Sequence, residues 1–287
     1  MVVLVFGALL SVGVLFALGT AEVRAQEDSV YDDPENPVLA SLLAQEEYAE
    51  DFQEEFDLSD EEMEQVLEVV REENETVSRA MYESNPTITG TANEAAVSGF
   101  NETVMEENAE TKSEIEEILP EDEQDELETW TNERSTEARR DCSGTRDPKK
   151  QPRKGSTERV FATQYHGYTN FEVALPHRKL KFDGGYRVRI SYKGRSVSAP
   201  VKEVGPWNTY DNYWQSKKYR TDWKKLGRGM PEAEAAWCDG FNRGRDEQGR
   251  IVRNPAGIDL TPAVARKLGL GKLENAWVVV NYTWVKR

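Results

Sequence analysis

Residues 257–269 read G-I-D-L-T-P-A-V-A-R-K-L-G, and their reading decides the fold. Thr261 followed by Pro262 is a helix start, with Thr as the N-cap and Pro at the first helical position. Gly269 and Gly271 end the helix after two turns at most. Everything around this short helix has a period of two. Ala276–Val285 (AWVVVNYTWV) follows it as a closing strand carrying aromatic residues. Upstream, Tyr186–Tyr192 (YRVRISY) alternates cleanly, Lys193-Gly194 makes a turn, and Ser196–Val204 returns. Arg159–Tyr165 reads as an earlier strand. Short strands, many turns and one short helix predict a small closed β-barrel.

Outward from the barrel the composition changes. The chain has 287 residues, room for one or two domains, and a net charge of −17. Residues 26–141 hold 38 acidic and 6 basic residues, whereas residues 142–287 hold 14 and 29. Six of the seven Trp lie in the basic half, the exception being Trp130. Such asymmetry says that the halves meet different partners, or each other. Asp141–Thr157 (DCSGTRDPKKQPRKGST) is rich in Pro, Gly and Lys and reads as the linker between them. Its charge alone suits contact with anionic polymers.

The acidic half carries four helical patterns after a short acidic stretch, Gln26–Glu35, that is expected to be disordered. The first starts at Asn36-Pro37 and uses Leu39, Leu42, Leu43, Phe52 and Phe56. The second starts at Ser59, with Glu62 three residues on as a capping box. Its Met63, Val66, Leu67 and Val70 fall on one helical face. The third runs from Thr91 through Phe100, Val104 and Ile115 to Leu119, and Pro120 opens a fourth toward Arg140. The apolar stripes are thin and the opposite faces densely acidic. Two readings follow: an arm that covers the basic domain and limits access to it, or a solvated spacer.

Val2–Leu18 is an apolar run broken only by Gly and Ser. Val23-Arg24-Ala25 suits signal-peptidase cleavage before Gln26, so residues 1–25 are expected to be a signal peptide and the protein to be exported. The alternative is an uncleaved membrane anchor. No Cys lies near the cleavage site, which excludes a lipoprotein. Export gives Cys142 and Cys238 two fates, a disulfide that staples the linker to the barrel or two free thiols. No His/Cys cluster suggests a metal, and no cofactor motif is present.

Four pieces of the basic half resemble, in order, the double-psi β-barrel of rare lipoprotein A and expansins. Ala162–Gly167 (ATQYHG) is similar to the opening strand, commonly A-S-W-Y-G. Ala174–Leu180 (ALPHRKL), followed by Tyr186–Ile190, is similar to the A-A-H-K-T-L-P stretch and its next strand. Val201–Pro206 (VKEVGP) is similar to the N-D-R-G-P turn. Gly257–Gly269 resembles the I-D-L-S helix start and is the most specific match. The resemblance implies a C-terminal six-stranded double-psi β-barrel over residues 158–287, which with the helical patterns above makes a mixed chain with an N-terminal acidic α-helical region. It also implies an insert at residues 207–256.

Members of that family bind or cleave cell-wall polysaccharides, and its bacterial branch resembles lytic transglycosylases acting on peptidoglycan. The family's acid falls on Asp259, which could protonate a glycosidic oxygen and then take a proton from the sugar 6-hydroxyl. The alternative is a structural Asp before a helix, where the helix dipole lowers its pKa and burial raises it. The turn carboxylate falls on Glu203, an acid partner or hydroxyl acceptor, or else a surface residue. His177 aligns with the family histidine, a donor to substrate or a structural His. The family's N-G-E-x-x-D loop is shortened to Tyr168–Val173, with Glu172 its lone acid. If that loop acid is needed, the protein binds glycan without cleaving it.

The insert interleaves aromatic residues with Lys217, Lys218, Arg220, Lys224 and Lys225. Trp207, Tyr210, Tyr213, Trp214 and Trp223, with Tyr165 of the opening strand, are candidates to stack on sugar rings while cations meet wall carboxylates. The competing reading is a private hydrophobic core for the insert. Aromatic and basic residues together also suit single-stranded nucleic acid, but export and the lack of any nucleic-acid motif argue against it. Three functions compete: a peptidoglycan-active enzyme, an expansin-like module that only binds the wall, and an envelope protein whose helical arm binds a partner.

Overall fold

A computed structural model describes residues 38–84, 94–145 and 157–285. The signal segment, Gln26–Glu35, the Asn36-Pro37 cap, the Thr91 start and most of the basic linker lie outside the described residues.

Six strands close into one barrel: β1 (Thr157–Gln164), β2 (Val173–Leu175), β3 (Arg187–Tyr192), β4 (Arg195–Val204), β5 (Ala256–Leu260) and β6 (Ala276–Tyr282). Their order around the barrel is β1-β5-β2-β4-β3-β6. β3 and β4 form the hairpin expected at Lys193-Gly194, with Arg187 opposite Pro200 and Tyr192 opposite Arg195. Two pairs are parallel, β1 with β5 and β2 with β4, so the chain must cross over between them. Alternation does the sorting. Along β6, Ala276, Val278, Val280 and Tyr282 are buried while their neighbours are half-exposed. With Val160, Val188, Ile190, Ala199 and Ile258 they fill the interior.

Eight α-helices occur among the described residues. The acidic half supplies α1 (Leu39–Leu43), α2 (Glu46–Glu55), α3 (Asp60–Glu83), α4 (Glu94–Ile118) and α5 (Glu126–Thr145). The barrel half supplies α6 (Arg178–Asp183), α7 (Glu232–Asp239) in the insert, and α8 (Pro262–Leu268). The capping box at Ser59 and Glu62 forms as the spacing predicts. The first helical pattern divides at Ala44-Gln45, because the Ala44 carbonyl accepts from Asn275 N of the barrel (2.8 Å) rather than continuing the helix. The last helix starts at Glu126, after turns over 120–125, and runs to Thr145 into the stretch expected to be linker. At α8 the cap differs too. Thr261 stands at the N-cap with extended backbone, but its hydroxyl donates to the Glu172 carbonyl and accepts from Glu172 N, each at 3.0 Å.

The helices of the acidic half pack on one another and on the barrel half. Phe52, Phe56 and Trp130 form an aromatic centre with Phe52 4.6 and 4.8 Å from the other two rings. The same buried cluster continues through Val66, Val104 and Phe100 to Trp207, Trp237, Ile251 and Val252 of the insert. Polar contacts fix the alignment. Glu73 of α3 pairs with Arg253, and both side chains are buried. Asn101 of α4 donates to the Gly249 carbonyl (3.1 Å) and accepts from Ile251 N (2.8 Å). Arg250 reaches the Met81 carbonyl and the Ser84 hydroxyl, each at 3.3 Å.

Cys142 at the end of α5 and Cys238 in α7 form a disulfide, with Cα atoms 6.0 Å apart across 96 residues of sequence. Closing so long a loop removes much chain entropy from the unfolded state. Cys142→Ser is expected to lower unfolding free energy by about 4 kcal/mol in denaturant titrations under oxidising conditions, and to leave no difference from wild type after reduction. Glu73→Ala leaves Arg253 buried without its partner and is expected to cost about 3–5 kcal/mol in the same assay.

Candidate functional site

One row of residues crosses four neighbouring strands. Thr163 of β1 stands opposite Asp259 of β5. Asp259 stands opposite Ala174 of β2, and Ala174 stands opposite Glu203 of β4. Residues paired in register share a face of the sheet, so both carboxylates rise on the same side of Ala174. Two interstrand spacings put their backbones about 10 Å apart. The methyl group of Ala174 leaves the space between them open. Gly205 follows at φ +152, and a Cβ built there would stand 3.4 Å from Asp259 Oδ2. A larger side chain at Gly205 would crowd the acid.

The row floors a cavity of about 350 Å³. The barrel side includes Asp259, Glu203, Tyr165, Thr163, Ala174 and Trp207. The opposite wall comes from α3, through residues such as Asn74, Ser78, Arg79 and Tyr82. The cleft therefore lies between the acidic helices and the barrel and needs both.

Asp259 is 4 % exposed, and its Oδ1 accepts a short hydrogen bond from the Thr163 hydroxyl. Burial pushes its carboxyl up from the usual 3.8 to about 7, against the opposing Thr163 hydrogen bond. Of the two influences anticipated from sequence, burial is the larger. Such a carboxyl is substantially protonated near neutral pH, the state a proton donor requires. Glu203 is buried rather than exposed on its strand. Its Oε1 pairs with Lys181 Nζ of α6 at 2.6 Å and accepts from Val204 N at 2.9 Å. Its Oε2 is itself buried and has no hydrogen-bond partner, in a side chain that lines the cleft.

Tyr165 lines the cavity and donates to Glu172 Oε1 at 3.3 Å. Burial, then the negative charge of Glu172, raise its phenol well above the ordinary value, so it stays neutral. Glu172, the lone acid of the shortened loop, is fully buried. It accepts from Tyr168 N (2.8 Å), Thr169 N (2.9 Å) and the Thr169 hydroxyl (2.5 Å). These bonds make it the anchor of its own loop.

Several expected site residues are placed elsewhere. His177 does not line the cavity. Its Nε2 lies 3.3 Å from the Thr221 hydroxyl, and its ring meets Tyr210 and Trp214 edge-on, each at 6.2 Å between centroids. Burial lowers its pKa, which favours the neutral ring. Tyr213 and Trp214 are core residues. The Tyr213 hydroxyl donates to the Gly257 carbonyl at 2.8 Å, and Trp214 stacks on Tyr282 at 5.0 Å. Neither face is open to a sugar. Trp223 is half-buried, edge-on to Phe241. Arg220, read from sequence as a cation for ligand, is buried on Asp211 and on the Gly227 and Met230 carbonyls. Of the six proposed stacking residues, Tyr165 and Trp207 line the cleft, and Tyr210 is exposed outside it.

Residues 156–281 match a family model described as a domain of unknown function (DUF8814). The match spans β1 to β5, β6 up to its last residue, the insert and both members of the carboxylate row. No curated protein matches the chain. Thr163, Ala174 and Lys181 were not legible as site residues, since each acts through strand register or through α6. The α3 wall was not legible either, because its residues are scattered on a helix read only for its apolar face.

Linkage follows from the raised pKa. A group held at about 7 when folded and 3.8 when unfolded stabilises the folded state fully below 3.8, and that contribution is lost as pH rises through about 7. Asp259→Asn cannot ionise. It is expected to exceed wild-type stability by roughly 3–4 kcal/mol at pH 8 and to differ little at pH 3.5, read by chemical unfolding across pH.

Proposed function

We propose that the protein is an exported cell-envelope protein whose cleft takes a cell-wall glycan strand and cleaves it as a lytic transglycosylase. The observation that carries this reading is a buried Asp259 on the floor of a cleft, its carboxyl raised to about 7 and so about half protonated at pH 7, with Glu203 on the same face. The barrel is read as the double-psi type of rare lipoprotein A and expansins. Support comes from the closed six-stranded mixed sheet, from the two parallel pairs, and from the four sequence pieces falling on β1, β2–α6, β4 and β5–α8. The Cys142–Cys238 disulfide supports an oxidising compartment, in line with the apolar N-terminal run.

In this reading the Asp259 carboxyl gives its proton to the glycosidic oxygen as the C1–O bond breaks. The resulting carboxylate takes the proton of the sugar 6-hydroxyl, whose oxygen bonds to C1 and closes an anhydro ring. The proton gained equals the proton given, so the acid is restored. The Thr163 hydroxyl holds Oδ1 and leaves Oδ2 for the substrate. Glu203, fixed by Lys181, accepts from sugar hydroxyls. Tyr165, with its raised pKa, remains neutral.

One observation favours a second reading, a module that binds wall glycan without cutting it: Glu172 is committed to its loop and supplies no further acid. Digestion of purified peptidoglycan, with mass spectrometry of soluble fragments, separates the two. Wild type is expected to release anhydro-sugar fragments at a rate that falls above pH about 7. Asp259→Asn is expected to lose at least about 100-fold in rate while still sedimenting with sacculi. Binding without products from either protein would leave the binding module. Neither binding nor products would remove both readings.

A further inference from the structure

Few large apolar side chains are well exposed among the described residues, and most of those fall in one place. Tyr82, Tyr168, Phe182 and Tyr210 are 46, 64, 58 and 36 % exposed. They come from four separate parts of the chain: α3, the β1–β2 loop, α6 and the insert. A continuous line of contacts nevertheless joins them. The phenols of Tyr82 and Tyr168 are neighbours close enough to interact electrostatically. Lys181 Nζ lies 4.7 Å from the centre of the Tyr168 ring and 5.7 Å from that of Phe182. The Arg178 guanidinium lies 5.1 Å from the Phe182 ring centre and donates to the Tyr210 hydroxyl at 3.0 Å.

The row starts at the cleft. Tyr82 is part of its α3 wall, and Lys181 is the cation that holds Glu203. From there it runs outward over α6 to Tyr210. Single exposed aromatic side chains are ordinary on a protein surface, whereas a contiguous set continuous with a cleft marks a contact surface. The cations above the rings restrict how they tilt, so less order remains to be imposed on binding. Lys179 is paired to Asp183 at 4.0 Å and Lys181 to Glu203 at 2.6 Å, so Arg178 gives the strip its net positive charge. Flat aromatic faces beside a cation suit a chain of sugar rings that bears carboxylates, with apolar ring faces on the aromatic side chains and anions on Arg178.

We infer that the Tyr168–Phe182–Tyr210 strip is an outer subsite that holds an acidic glycan strand as it leaves the cleft. This inference rests on the cleft being a glycan site and adds the strand's path and charge. The strip makes affinity depend on strand length, because a short fragment fills the cleft without reaching Phe182 and Tyr210.

The test uses the Asp259→Asn protein, so that ligand is not consumed, and measures equilibrium binding of peptidoglycan-derived glycan strands. A tetrasaccharide is compared with long strands. Long strands are expected to bind about tenfold more tightly, and adding Phe182→Ala and Tyr210→Ala is expected to abolish that difference. Both side chains are exposed, so thermal unfolding of the triple variant should match its parent. Long strands whose carboxylates are reduced to alcohols are expected to lose most of the advantage. A length preference that survives the two alanine changes overturns the strip and leaves the cleft reading intact. An advantage that survives carboxylate reduction overturns the acidic character of the strand. Absence of binding at either length overturns the cleft reading and the strip with it.

Discussion

The site depends on the position of β2 between β4 and β5. Ala174 is paired with Glu203 on one side and Asp259 on the other, so a single residue of a three-residue strand sets the relation of both carboxylates. A one-residue slip of β4 or of β5 against β2 would turn the pair to opposite faces. The short strand is held at both ends. Glu172 before it is bonded to Thr261, the residue that starts α8, and the Leu175 carbonyl accepts from Gly205 N at 3.1 Å. Loop, strand and helix start thus share one set of hydrogen bonds, and the G-I-D-L-T-P stretch carries the acid and its brace together.

The acidic half is part of the same construction. It is charged overall, yet it contributes a buried face to the cluster that reaches Trp207 and Trp237. The contacts that align it are specific ones: the Glu73–Arg253 pair, the Asn101 amide against the 249–251 backbone, and the disulfide to α7. Its α3 roofs the carboxylate row. Burial at the cavity floor is what raises the Asp259 carboxyl, and α3 stands across the cavity from it.

Much of the barrel was legible in the sequence because alternation and turn chemistry are local signals. The Lys193-Gly194 hairpin, β6 and α8 follow from them directly. So does α3, from its capping box. Asp259 and Glu203 stood out through a resemblance, and the structure brings them to one face. His177 stood out in the same way and lies outside the cleft, because β2 ends before it and its ring is packed among insert side chains. The insert shows the limit of composition. Tyr213, Trp214 and Arg220 have the residue types of a sugar-binding surface, but burial is a property of tertiary packing and the sequence carries no local sign of it. The α3 wall shows the same limit from the other side. Its apolar stripe was visible, but not the surface on which that stripe would pack.

The central claim is that Asp259 is kept about half protonated at pH 7 by burial at the cleft floor. Its carboxyl carbon can be followed by NMR of protein labelled at aspartate, with Asp259→Asn assigning the resonance. The account predicts a midpoint near pH 7, well above the 3.8 of an unperturbed aspartate. A midpoint near 4 would contradict it, since Asp259 would then be an ionised residue at the start of a helix with no proton to give.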